Sequence, residues 1–329
     1  MRHAIALSIA LLVMSSAAFA AVEARGMPSS GKSEIRYETV VLKDAPVATI
    51  NLAYRTGVVK KHPVILMLGS IEKGKLPEWS TGLVDEGYML AAFTVAHPQD
   101  PDEKRRPVWL YFDARFAHSY ALGGHLAAGD AGRIVDYLVS RGDIQRDKIG
   151  WLGSSSTGIP GLSVVTQGPR LAAIVAFVST GAYRQWLATW VPNKLWRDTQ
   201  SDKLWPETID LLNKYDPIDH VNKMYPTAVL MVSGADDKVV DPKTAQAFVH
   251  AARPYYANDP ERLRLVLYDG FGHNLPRDII KMYAENWFHL YMHPTQPPPV
   301  PPSPPKDMKE SVDKTQINSA NHKDVVGAE

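Results

Sequence analysis

The sequence predicts an α/β fold, with a mostly parallel central sheet, helices on both faces and a helical cap insertion. Three observations predict it. Short apolar runs alternate with longer amphipathic stretches through most of the 329 residues, and a repeated strand–helix–strand rhythm is what a parallel sheet with crossover helices needs. Several of the short runs are apolar without interruption, as strands buried on both faces are. Hydrophobic residues make up 45% and charged residues 22% of the chain, a balance ordinary for a globular domain.

The elements follow in order. Tyr37–Leu42 and Ala48–Tyr54 alternate as strands do, and Val64–Leu68 is a continuous apolar run that ends at Gly69. Trp79–Glu86 reads as a helix and Tyr88–Val95 as a strand. Gly123–Ser140 fits a long amphipathic helix with Leu126, Ile134, Val135, Leu138 and Val139 towards the core. Lys148–Leu152, Leu171–Val178, Thr227–Val232 and Leu263–Tyr268 are the remaining strands. The stretch from about 182 to 225 is long for one crossover and carries Trp186, Trp190, Trp196 and Trp205; it reads as a helical cap over the carboxyl edge of the sheet. Those rings either roof a pocket or fasten the insertion to the core, and the cluster Trp109, Tyr111 and Phe112 has the same two readings.

The ends of the chain differ from the middle. Residues 1–20 read as a secretory signal peptide: Arg2 and His3, an apolar run from Ala4 to Met14, and the cleavage pattern Ala18-Phe19-Ala20. An uncleaved anchor is the alternative, although the run is shorter than the roughly 20 residues a membrane span needs. Residues 21–34 read as a flexible leader, 35–293 as the folded domain and 294–329 as a proline-rich disordered tail acting as a spacer. The expected location is secreted or periplasmic, with no stable membrane association after signal cleavage. Net charge is +1, too small to draw nucleic acid. Cysteine is absent, which excludes disulfides, a lipid-anchored amino-terminal cysteine, a cysteine nucleophile and thiolate metal sites. No metal or cofactor is expected. His118 and His125 do not read as a metal pair, because their seven-residue gap shares a face only if one helix carries both, and no third ligand is evident.

Three loops carry chemistry. In the first, the strand ending at Leu152 meets Gly153-Ser154-Ser155-Ser156-Thr157-Gly158, the setting of a sharp turn that exposes a serine hydroxyl. Ser155 is the candidate nucleophile, two residues after Gly153. Ser156 is the rival, since glycine falls at 158 where 157 is expected. Pro160 suggests that the following helix is kinked or starts late. In the second, a strand ends in Ser233-Gly234-Ala235-Asp236-Asp237; Asp237, with Asp236 as rival, is placed to accept a ring N–H from a histidine, or else caps a turn. In the third, Tyr268-Asp269-Gly270-Phe271-Gly272-His273 has two glycines that let the loop bend and return His273 across the sheet edge.

Serine, aspartate and histidine in that order, each just after a strand, resemble the α/β-hydrolase fold. Val135-Asp136-Tyr137-Leu138, Asp147-Lys148-Ile149-Gly150, Asp216-Pro217 and Gly234-Ala235-Asp236-Asp237-Lys238-Val239-Val240 resemble its dienelactone-hydrolase-like and prolyl-oligopeptidase-like branch over about residues 35–293. The resemblance implies a serine hydrolase acting on ester, thioester or amide bonds, and it favours Asp237 over Asp236. It also implies two backbone N–H donors for a developing oxyanion. These are Ser156 and, from the loop Leu68-Gly69-Ser70-Ile71, Ser70 with Ile71 second. The expected substrate is a small-molecule or oligomeric ester. An oligopeptidase is the second expectation, less favoured because peptidases of that branch usually carry a large extra domain. The third is a catalytically silent binding protein on the same scaffold.

Overall fold

The structure, a computed structural model, describes residues 34–43, 48–95, 114–190, 204–292 and 310–312, without the side chains of 114–120, 189–190, 204–205 and 310–312. Residues 1–20, read as a signal peptide, most of the expected leader, the Trp109–Phe112 cluster and the side chains of Trp190, Trp196 and Trp205 lie outside it.

Among the described residues nine strands form one sheet: β1 Ile35–Leu42, β2 Ala48–Arg55, β3 His62–Leu68, β4 Met89–Phe93, β5 Ile144–Ser154, β6 Ala173–Phe177, β7 Ala228–Gly234, β8 Leu263–Tyr268 and β9 Glu310–Val312. Their spatial order is β1-β2-β4-β3-β5-β6-β7-β8-β9. The strands from β4 through β8 run parallel, whereas β1 and β2 at one edge and β9 at the other pair antiparallel. This is the α/β-hydrolase fold. Within the tail, then, Glu310–Val312 is an edge strand against β8, with Tyr268 opposite Glu310 and Val266 opposite Val312, and the reading of 294–329 as a structureless spacer does not hold for that short piece.

The uninterrupted apolar strands have a simple cause. In β4, Met89, Ala91 and Phe93 enter the core on one face while Leu90 and Ala92 enter the core on the other. The first face is covered by α2 Ala114–Ser140, α3 Gly158–Gln167 and α6 Pro242–Ala252; the second by α1 Thr81–Asp85 and α7 Arg277–Met292. A strand with helices on both sides has no polar face to present, so alternation disappears. The insertion supplies α4 Tyr183–Trp190 and α5 Leu204–Tyr215.

One helix boundary changes, and one of the two readings of Pro160 holds. Helix α2 begins at Ala114, not at Gly123, so His118 and His125 do share one helix. The ring of His125 stacks on Tyr215 of α5 at 3.8 Å between centroids and serves packing. Helix α3 starts late, after a 3₁₀ turn at Ser155–Thr157. Pro160 then falls in its first turn, where a missing N–H leaves no helical bond unmade.

Candidate active site

The site lies at the carboxyl edge of β5, β7 and β8. Ser155 follows β5 directly and holds φ of 49°, a left-handed conformation that costs a residue with a Cβ about 1–2 kcal/mol. The turn is tight enough to leave no room for side chains behind it. A Cβ on Gly153 would run into the Thr157 carbonyl and the Gly158 amide, and one on Gly158 would run into the Ser179 hydroxyl and the Gly153 backbone. Glycine is therefore needed at 158, one place later than expected, because the 3₁₀ turn lengthens the bend. Thr157 is the clasp of that turn. Its hydroxyl accepts from the Ser154 N–H at 2.9 Å and donates to the Ser154 carbonyl at 3.0 Å. Beneath it, the Trp151 indole N–H donates to the Thr157 carbonyl at 3.2 Å.

The acid loop follows β7. Asp237 is buried, and its Oδ1 accepts from the Val239 and Val240 amides at 2.8 and 3.0 Å. Its Oδ2 lies 2.9 Å from Nδ1 of His273. The Asp236 side chain is solvent-exposed, and its amide donates to the Phe271 carbonyl at 2.9 Å. That bond draws the histidine loop against the acid loop. Gly234 makes the approach possible, since a Cβ there would meet the carbonyls of Phe271 and Gly272. Of the two glycines flanking Phe271, only Gly270 has a positive φ, 79°.

His273 closes the series. Its Nε2 is 2.9 Å from Ser155 Oγ, and its side chain is 23% exposed, so the ring is reachable from solvent. With Nδ1 donating to the carboxylate, Nε2 is left to accept from the serine hydroxyl. Such an arrangement can move a proton off Ser155 as it attacks a carbonyl, and stabilise the imidazolium that results. Ser156 is exposed, and the His273 Nε2 bond goes to Ser155.

The two expected oxyanion donors lie in the turns that follow adjacent parallel strands. Leu66 of β3 is level with Trp151 of β5, and Ser70 and Ser156 follow at the carboxyl ends of those two strands. Gly69, with φ of 125° and its N–H on the Phe93 carbonyl at 2.8 Å, turns the chain there. Ser70 is exposed, whereas Ile71, the second candidate, is buried at 7%. Sequence reasoning passed over Thr157 and Gly234, and also Val178, a β-branched residue with φ of 42° at the end of β6. An S-x-x-T pattern across a glycine-flanked turn was the available signal for Thr157.

A serine, a histidine and an aspartate bonded in series above a nine-strand, mostly parallel sheet define an α/β-hydrolase with a serine-hydrolase architecture. Residues 118–291, just over half of the chain, match the prolyl oligopeptidase family, and the chain belongs to that family. No curated protein matches it significantly. Among solved structures, a prolyl endopeptidase aligns with a TM-score of 0.60 at 19% identity, over 79% of this chain and 39% of its own. A Thermus thermophilus protein, TT1662, aligns at 0.55 and 18% identity over 78% of this chain and 98% of its own. Acetyl xylan esterase 1 from Thermoanaerobacterium sp. JW/SL YS485 aligns at 0.56 and 16%, over 82% and 89%. At these identities the likeness concerns the fold. The chain spans about two fifths of the prolyl endopeptidase it matches.

Proposed function

We propose that this protein is a serine hydrolase that cleaves carboxylic esters through an acyl-enzyme. The observation that carries the proposal is the continuous series Asp237–His273–Ser155, with 2.9 Å at each link. His273 takes the Ser155 proton as the hydroxyl attacks the carbonyl carbon, and returns it to the departing alcohol. Water, deprotonated by the same histidine, then releases the acid and restores Ser155. The oxyanion formed in each half-reaction is met by the backbone N–H groups of Ser156 and Ser70. The ester preference is favoured by the acetyl xylan esterase likeness, which extends over most of both chains. Residues 1–20 favour export to the periplasm or medium, and amino-terminal sequencing of the mature protein should then begin at Ala21.

The family match favours an oligopeptidase as the second reading. Turnover of a p-nitrophenyl acyl ester against an aminoacyl anilide separates the two: the ester should be the faster substrate by kcat/KM, and the reverse order selects the peptidase. A fluorophosphonate probe should label Ser155. An unlabelled protein would be a binding protein on this scaffold.

A further inference from the structure

The cap insertion reaches the triad from behind. Trp186 of α4 is 2% exposed and packs with Ile159 of α3, Leu212 of α5 and Val240 of the acid loop. This ring does not roof a pocket. Its indole N–H donates to the Val239 carbonyl at 2.9 Å. That carbonyl and the Val240 N–H are the two ends of a single peptide plane, and the Val240 N–H donates to Asp237 Oδ1 at 3.0 Å. A hydrogen bond at one end of a peptide polarises the group and strengthens the bond at the other. Asp237 thus has one oxygen fixed by two amides and the other aimed at His273.

The donor itself is firmly placed. Asp216, fully buried, accepts the amides of Tyr183 and Arg184 at 3.0 Å each, which caps the start of α4. The Arg184 guanidinium adds an ion pair with the same carboxylate, 3.1 Å from Nε to Oδ2. The Tyr183 hydroxyl donates to the Ile159 carbonyl at 2.7 Å, tying α4 to the helix that follows the nucleophile. The sequence Asp216, α4, Trp186, Val239–Val240 peptide, Asp237 is a continuous path of short contacts.

The geometry points to Trp186 as a positioning residue for the proposed hydrolytic reaction: its indole N–H locks the peptide that orients the Asp237 carboxylate under His273. The role rests on the hydrolase reading. It makes α4 part of the catalytic support, so that the insertion and the triad act as one unit.

The test is Trp186→Phe, which keeps an aromatic ring and removes the N–H, together with replacement of Trp186 by benzothienylalanine, which keeps the bicyclic shape and also lacks the N–H. Each is assayed with a p-nitrophenyl ester, and rates are expressed per active site titrated with a fluorophosphonate. Loss of the bond should lower kcat about tenfold with KM nearly unchanged. A carboxylate held less firmly stabilises the imidazolium less, so the acid limb of the kcat/KM profile should move to lower pH. The exposed charges of the two loops, Asp236, Lys238 and Asp269, are the same in all three proteins and cannot produce that movement. Variant profiles that superimpose on the wild type overturn the role, and so does a fall in rate with an unmoved limb, which would be lost packing alone. If Trp186→Phe does not fold, the isosteric replacement decides. An unlabelled, inactive wild type removes the hydrolase reading and this role with it; a labelled, active wild type with unmoved variants removes only this role.

Discussion

In the proposed reaction Ser155 bears two demands at one position, a reactive hydroxyl and a left-handed backbone. Separating them gives two predictions. Ser155→Ala should cut kcat by roughly 10³–10⁶-fold, while Ser156→Ala, whose backbone donor survives, should keep most of the activity; ester hydrolysis by the purified variants checks both. Ser155→Gly should be equally inactive, yet should melt at a higher temperature than Ser155→Ala, because glycine takes a positive φ without the Cβ penalty. Differential scanning calorimetry of the pair checks it. Asp237→Asn should lower kcat by about 10⁴-fold, the loss expected when an orienting carboxylate becomes an amide and the histidine takes the wrong tautomer. The meeting of Ser155, His273 and Asp237 could be anticipated from the sequence because hydroxyl, imidazole and carboxylate each followed an apolar strand. The support around them could not. Gly234 reads as an ordinary strand end, and only the approach of the Phe271 and Gly272 carbonyls shows that a larger residue would push His273 away. Thr157 reads as a missing glycine, and its clasp depends on the 3₁₀ turn at Ser155–Thr157, which the short S-x-x-T spacing marks only weakly.

At the scale of elements, hydrogen bonds across loops carry weight that apolar patterning does not register. Arg141, just past α2, holds Asp143 with two bonds, at 2.9 and 2.6 Å, and reaches Glu38 of β1 at 3.0 Å. The Arg141 guanidinium keeps the Asp143 carboxyl below its ordinary value of 3.8. A carboxylate depressed on folding stabilises the native state above its unfolded value, and the contribution disappears as pH falls through the folded value. Arg141→Met should therefore cost about 1–2 kcal/mol near neutral pH, discounted for the partial exposure of the pair. The difference from wild type should shrink below about pH 4. Urea denaturation at pH 7 and pH 3 measures it. Strand positions were legible because burial on both faces produces unbroken apolar runs. The true start of α2 was not, since its first turn precedes the amphipathic pattern, and an edge strand such as β9 cannot be told from its proline-rich surroundings by composition.

The whole molecule leaves one edge of its sheet to the tail. With β9 in place the outer side of β8 is paired. Deleting 294–329 would open that side, and an open strand edge invites pairing with a second chain. The truncated protein should keep its ester hydrolysis per molecule and show a concentration-dependent rise in mass by light scattering, whereas the full chain should not.

The bond between Ser155 and His273 joins positions 118 apart in sequence, and the strands β6, β7 and β8 all intervene. Nothing local holds the two side chains together; they meet only when that half of the sheet has assembled in register. Regained turnover after dilution from denaturant should accordingly lag behind regained far-ultraviolet ellipticity, since long-range pairing is entropically slow. Turnover would then serve as a clock for the last stage of assembly.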